Sequence, residues 1–320
     1  MSSSTTPPPL KPFFTRELLY DVEASLANDG EYIELKNNDG KIFQSQNQYR
    51  GLGIADLAPG SKERRNIACF QDERNFKRLE AQGKTEQFVP VYNGSMVFHG
   101  ATRSDQETRA LFAEITQSFA ASDEATAITS LIHAHLSGCT VNKVIALGLG
   151  KIGEVRPGPP QTFYEHAAAL VVRRAVQDVS SAPTVSLLVQ DPAYTNVCKQ
   201  ILRESDFDII EGFGAKGFAL IDNNTVVLAH HPAFPLREIL ADIARPALVS
   251  MKEQESLADQ LMRPQGIPDY RWEVDSVRSR KMLEDYHAFS LPIPMQMAFW
   301  DNIWFVRKID KNQNKATEIV

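Results

Sequence analysis

Three glycines, an aspartate and a pair of histidines stand where their types and spacing could do chemistry. Gly148, Gly150 and Gly153 lie in "LGLGKIG", directly after the apolar run 144–147. In such a turn the first glycine permits a tight exit from a strand. The second lets a phosphate or ribose approach the backbone, and the third lets a helix pack closely. A helix opening there would aim free N–H groups at an anion. Asp191 ends the next apolar run, "TVSLLVQD", and its carboxylate suits the hydroxyls of a ribose. His230 and His231 end another, "TVVLAHH", just ahead of a helix. An imidazole titrates near neutrality and suits a general base. Neighbouring residues of a strand point to opposite faces, so these two rings do not chelate one metal.

The surroundings of the glycines narrow the ligand. A dinucleotide fold starts its helix inside the glycine motif, but here "EVRPGPPQ" follows, with prolines at 157, 159 and 160. Proline removes a donor and clashes with the preceding turn, so the helix is expected to begin near Gln161. The acidic residue expected about 20 positions on is missing. The next acidic strand end is Asp191, 38 positions after Gly153 (191 − 153). NAD(P) binding is therefore disfavoured. A glycine exit from a first strand with a carboxylate ending the second also matches class I methyltransferases, where that carboxylate holds the ribose of S-adenosylmethionine. A plain tight crossover fits the same letters. No H-E-x-x-H, G-x-S-x-G, G-x-x-x-x-G-K-[ST] or C-x-x-C is present, so no catalytic triad or metal centre is read.

These residues need elements to position them. From 143 onward, short apolar runs alternate with helical patterns, which argues for a mostly parallel sheet covered on both faces. The expected strands are "KVIALGLG", "TVSLLVQDP", "FDIIEG", "NTVVLAHHP" and "PALVSM", with "NIWFVRK" as a last edge strand. The expected helices are "QTFYEHAAALVVRRAVQDV", "YTNVCKQILRESD", "PLREILADIA" and "SVRSRKMLEDYHAF". Strand exits at Gly148, Asp191 and His230 then converge on one edge. Before this stand a Thr15-capped helix, a hairpin about Asp39-Gly40, an irregular stretch over 47–86 with a short helix near 71–82, and a strand pair about Asn93-Gly94. Two helices follow: one boxed by Ser104 and Glu107, the other capped by Asp123 and stopped at Gly138. The fold class is α/β, a Rossmann-like three-layer, mostly parallel sheet with an α+β N-terminal region. The divisions are a disordered tail (1–12), the N-terminal region (13–122), the Rossmann-like domain (123–310) and a loose tail (311–320).

Composition bounds the partners. Charged residues make up 23% and the net charge is −6, with no Lys/Arg block among aromatics, so no nucleic-acid footprint is read. Cys69, Cys139 and Cys198 are odd in number and far apart, which favours a reducing compartment over a disulfide scaffold. The start "MSSSTTPPPLKP" has no apolar h-region, and no run reaches about 18 apolar residues, so a cytoplasmic or nuclear protein without a membrane span is expected.

The ordered set "ALGLG", a helix, "LLVQDPAYT", "ILRESDFDII" and "TVVLAHHPAFPLREILADIARPALV" resembles the sensitivity-to-red-light-reduced-like family. It looks most like the fungal members, which begin with a "PFFTRELL"-like helix and end near "FVRK". The resemblance implies a regulatory role with no established catalysis; protein partners are expected, and the convergent strand exits suggest a crevice lined by Gly148, Gly150, Asp191 and His231 where a small ligand could sit. A haem connection suggested within the family would turn to His230, His231 or Cys198 as axial ligands. The family commonly has a cysteine after the histidine, and here Pro232 takes that place. S-adenosylmethionine and haem are thus the cofactor candidates, and a pure protein-interaction module is the remaining alternative.

Overall fold

The computed structural model of the chain describes residues 11–48, 50, 62–99, 103–155, 160–230, 234–252, 276–291, 298–299 and 302–308. His231, Pro232 and Trp300 lie outside the described residues, as do residues 1–10 of the first tail and all of the tail 311–320.

Seven strands form one sheet: β5 (Lys143–Leu147), β6 (Ser186–Gln190), β7 (Asp208–Ile209), β8 (Thr225–Ala229), β9 (Leu248–Lys252), β10 (Tyr286–Phe289) and β11 (Asn302–Arg307). Their order is β10-β11-β9-β8-β5-β6-β7, and β11 alone runs against its neighbours. The α/β class read from the apolar runs is what folds. Both faces are buried with period two: Val144, Ala146, Val226 and Leu228 enter one core, Ile145, Leu147, Val227 and Ala229 the other. The first core is closed by α3 (Asp105–Ala120), α4 (Asp123–Leu136), α5 (Gln161–Val179) and α6 (Asn196–Glu204). The second is closed by α7 (Lys216–Ala219), α8 (Leu236–Ile243) and α9 (Val277–Leu283), together with the N-terminal helix α1 (Arg16–Ala27). Among the described residues, no helix is long and apolar enough to cross a membrane.

Register sets the site. Leu147 pairs with both Gln190 and Ala229, so the next residues, Gly148, Asp191 and His230, leave the sheet at one edge. The chain order also reverses there, since β5 lies between β6 and β8. Ligands of open α/β sheets bind at such a switch point.

Several expectations need correction. "NIWFVRK" is not an edge strand, because β11 lies between β9 and β10. The edge is β10, cut from the end of the expected "SVRSRKMLEDYHAF" helix, which stops at Leu283. Asn93-Gly94 does not turn. It lies inside β4 (Val91–His99), which pairs along its length with β3 (Lys62–Phe70) in a stretch expected to be irregular. The cap of α4 is Ser122, whose hydroxyl accepts from the amide of Ala125, and not Asp123. The hairpin of β1 (Tyr32–Lys36) and β2 (Ile42–Gln46), the Thr15 cap and the helix α2 (Glu73–Glu80) form as read.

The N-terminal elements are bolted to the sheet by buried polar groups. Asp242 of α8 accepts the amides of Phe13 (2.7 Å) and Phe14 (3.0 Å) and pairs with Arg278 of α9. Arg278 also donates to the Lys11 carbonyl and lies over the Phe13 ring, 4.2 Å from its centre. From α1, Glu23 fills a backbone cradle, accepting from the amides of Phe213 (2.7 Å), Ala215 (2.6 Å) and Lys216 (2.9 Å). Successive amides in such a turn form an anion-binding concavity, opened here by positive φ at Gly212 and Gly214. Asp242→Ala leaves Arg278 buried without its carboxylate, so chemical denaturation should show a loss of about 3–5 kcal/mol. A loss within 0.5 kcal/mol would mean the strap 11–14 is not held by this pair.

Candidate functional site

The glycine turn is shaped by backbone sterics. Gly148, Gly150 and Gly153 have φ of 69°, 75° and 87°, a region that side chains disfavour. Gly148 donates its amide to the Gln190 carbonyl (3.0 Å), which continues the β5–β6 ladder by one step. Gly150 aims its amide at Asp191 Oδ2 (2.6 Å), while Asp191 Oδ1 accepts from Ala193 (2.7 Å). A Cβ on Gly150 would stand 2.8 Å from Thr162 Cγ2 in the first turn of α5. The second glycine therefore provides close packing as well as the amide that Asp191 takes up. Gly153 turns away from the edge: a Cβ there would meet Thr108 Oγ1 of α3 at 2.8 Å, and its carbonyl accepts from Arg103. As the prolines foretold, α5 starts at Gln161 and not in the motif.

On the α5 face, His230 is buried in a polar set. Asn302 donates its amide to the Ala229 carbonyl (2.8 Å) and to Ser250 Oγ (3.0 Å), so its Oδ1 faces His230 Nδ1 at 3.1 Å. Nδ1 is then the protonated nitrogen, and Nε2 is presented to Glu165 Oε1 at 3.9 Å. The two side chains are 5% and 6% exposed, well inside the fold. Glu165 has no local signature in the sequence, where it stands as one polar residue in a helical pattern.

Next to it, His166 is fully buried. Its Nδ1 lies 2.6 Å from the Thr162 carbonyl and must donate there, so Nε2 accepts from the Tyr194 hydroxyl (2.8 Å). Burial pushes the imidazole down to about 4, and the hydrogen bond to Thr162 opposes that only in part. Burial raises Tyr194 well above the usual phenol range, helped by the charges of Asp191, Cys198 and Glu165. Cys198 is pushed up to about 12, again chiefly by burial. Lys151, inside the glycine motif, is also buried.

The other face of the edge is aromatic. Phe234 lies beside Gly148, 3.7 Å from where a Cβ would be. It packs on Phe218 of α7 (4.8 Å between centres), which packs on Phe70 of β3 (5.1 Å).

The structure thus brings Gly148, Gly150, Asp191 and His230 to one edge, sets Gly153 against α3, and leaves His231 outside the described residues. Glu165, His166, Tyr194 and Asn302 were not singled out by sequence. The polar pair "EH" inside the apolar run of α5 was the available signal. Cys198 packs in the core as a thiol, so it does not fit a thiolate ligand for haem. Among the described residues, no three His, Cys, Asp or Glu side chains gather to hold a metal ion.

Comparison with known proteins places this edge in a family. The SRR1 domain matches residues 127–304, more than half of the chain. No curated protein matches in sequence. Among solved structures, a candidate O-methyltransferase from Klebsiella pneumoniae is 11% identical, covering 63% of this chain and 90% of its own, with a TM-score of 0.35. A candidate S-adenosyl-L-methionine-dependent methyltransferase from Methanococcus maripaludis is 14% identical, covering 65% and 94%, with a TM-score of 0.31.

The buried His166 makes a pH prediction. Its folded pKa, about 4, is below the unfolded value of 6.5, so its contribution is intact above 6.5 and is lost as pH falls through 4. The loss is on the order of 3 kcal/mol. His166→Phe should flatten the stability profile between pH 6.5 and 4. An unchanged acid limb in that variant would place the titrating group elsewhere.

Proposed function

This chain belongs to the SRR1 domain family, and we propose that it is a regulatory protein of the cytoplasm or nucleus that reads a small ligand at the carboxyl edge of its sheet. It passes the signal to protein partners. The kinship to fungal members, carried by the "PFFTRELL" start, belongs to the same reading.

The observation that carries the proposal is the Gly150–Asp191 contact at the switch point. A strand-end carboxylate held by a glycine amide suits the hydroxyls of an adenosyl or similar ribose-bearing ligand. His230, fixed by Asn302 and faced by Glu165, adds polar groups on the neighbouring strand. S-adenosylmethionine is the first ligand to test and haem the second.

A second reading, an S-adenosylmethionine-dependent methyltransferase, draws on the strand plan. Counting β5 as the first strand, the order is 3-2-1-4-5-7-6 with only the seventh reversed. That is the sheet arrangement of class I methyltransferases. The shifts on this edge weigh toward the regulatory reading, because they favour neutral, unreactive forms of His166, Tyr194 and Cys198.

The test is titration calorimetry of the full chain with S-adenosylmethionine, NAD and haem in turn. S-adenosylmethionine should bind at one site, and Asp191→Asn should weaken it about tenfold or more, the worth of a charged hydrogen bond. Methyl transfer to proteins of a matched extract would move the reading to the enzyme. No binding of any of the three would leave a pure interaction module.

A further inference from the structure

Three carboxyl groups meet where α2 docks on α8. Glu238 of α8 is 1% exposed and its Oε2 accepts the amide of Glu73 (2.8 Å), the first residue of α2. Glu73 is itself 7% exposed, and Asp72 caps the same helix. Glu238 Oε1 and Glu73 Oε2 are both buried and accept no hydrogen bond among the described residues. A buried carboxyl oxygen of Glu238 without a donor, next to other carboxylates, is relieved by a proton on Glu238.

The charged groups around the junction do not neutralise it. Arg74 is spent on Asp72, and Lys77 reaches Glu73 from the solvent side. Ser276, which caps α9 and bonds Ser279, lies close enough to lower Glu238 slightly. One turn along α8, Asp242 is paired with Arg278. Burial, with the charges of Asp72 and Glu73 adding to it, raises Glu238 to about 8.

The junction adjoins an aromatic cluster beside the glycine turn. Phe70 ends β3 two residues before Asp72, and it packs on Phe218 (5.1 Å) and Phe234 (6.3 Å) beside Gly148. Ala68 is pinned by its amide to the Phe213 carbonyl (2.8 Å). The chain from Ala68 to α2 is therefore tied at one end to the glycine cradle and at the other to Glu238.

We propose that protonated Glu238, docked on the amide of Glu73 beside Asp72, is a latch that keeps Phe70 packed on Phe218 and Phe234 next to Gly148, and that loss of the proton loosens it. The consequence for ligand access rests on the crevice reading above, whereas the latch is read from the free protein. The sign follows from linkage. Glu238 is ionised above about 4.5 when released but only above about 8 when docked. Docking therefore weakens as pH rises from 4.5 to 8 and then levels.

Hydrogen exchange of the full chain without ligand tests this, followed in peptides spanning 66–80 and corrected for the intrinsic rate. Opening should rise by up to about tenfold per pH unit between pH 5 and 7.5 and flatten above 8, as one linked proton requires. Glu238→Gln should make the profile flat. Glu73→Gln, which removes a neighbouring charge, should bring the plateau to lower pH, and it decides the matter should Glu238→Gln not fold. A flat profile in the unaltered protein, or the same slope in both variants, would overturn the latch. Neither result touches ligand binding, and absence of binding in calorimetry leaves the exchange profile as it is.

Discussion

A sheet buried on both faces needs two layers of cover, and that constraint organises this molecule. The strands from β5 to β9 carry apolar side chains alternately into two cores. Helices α3 to α6 close one face. The other is only partly closed by α7, α8 and α9, and α7 is a single turn. The remaining gap is filled by α1, whose Leu18, Leu19, Val22 and Leu26 join the second core. The N-terminal region is therefore part of the sheet's solvation and not an appendage. Each anchor it uses is a buried polar group: Glu23 in the 212–216 cradle, Asp242 on the strap, Glu238 at α2. Burying such groups is costly unless they are matched, so each fixes position more than it adds stability.

The same constraint shapes the carboxyl edge. Because β5 lies between β6 and β8, its exit has no helix continuing over it, and the backbone must turn at once. Glycine at 148 and 150 allows positive φ, and the turn directs the Gly150 amide to Asp191. The proline-bearing stretch then delays α5 to Gln161. That delay places Thr162, Glu165 and His166 in the first turns of α5 near the edge. The apolar and polar sides of the edge divide along the sheet: aromatics with α7, ionisable groups with α5.

How much of this was legible in the sequence follows from range. β5, β6 and β8 could be read because alternate burial on two faces leaves near-continuous apolar runs. The start of α5 could be read because proline acts locally on its own turn. The order of β10 and β11 could not, since strand order is a matter of pairing between segments far apart, and the four residues of β10 follow α9 too closely to break a helical pattern. β3 was missed because its sequence, "KERRNIACF", opens on charged residues and shows no apolar alternation. Glu23 and Phe213, separated by 190 residues, leave no mark in either local pattern. Of the site, the glycines and Asp191 carry a local signature, while Asn302 and Glu165 act on His230 only through the fold.

What this edge can do is limited by where its protons sit. A nucleophilic cysteine needs its thiolate, and a thiol at about 12 has almost none at neutral pH. A general base poised near 7 is not supplied by His166, whose lone pair is already given to Tyr194. These groups form a rigid, neutral support under the turn. At the rim above them, the strand-end carboxylate of Asp191 is half-buried and bonded to the Gly150 and Ala193 amides. The buried groups of α5 and α6 thus lie beneath the Gly150–Asp191 contact on one side of the edge, and the cluster of Phe70, Phe218 and Phe234 packs beside Gly148 on the other.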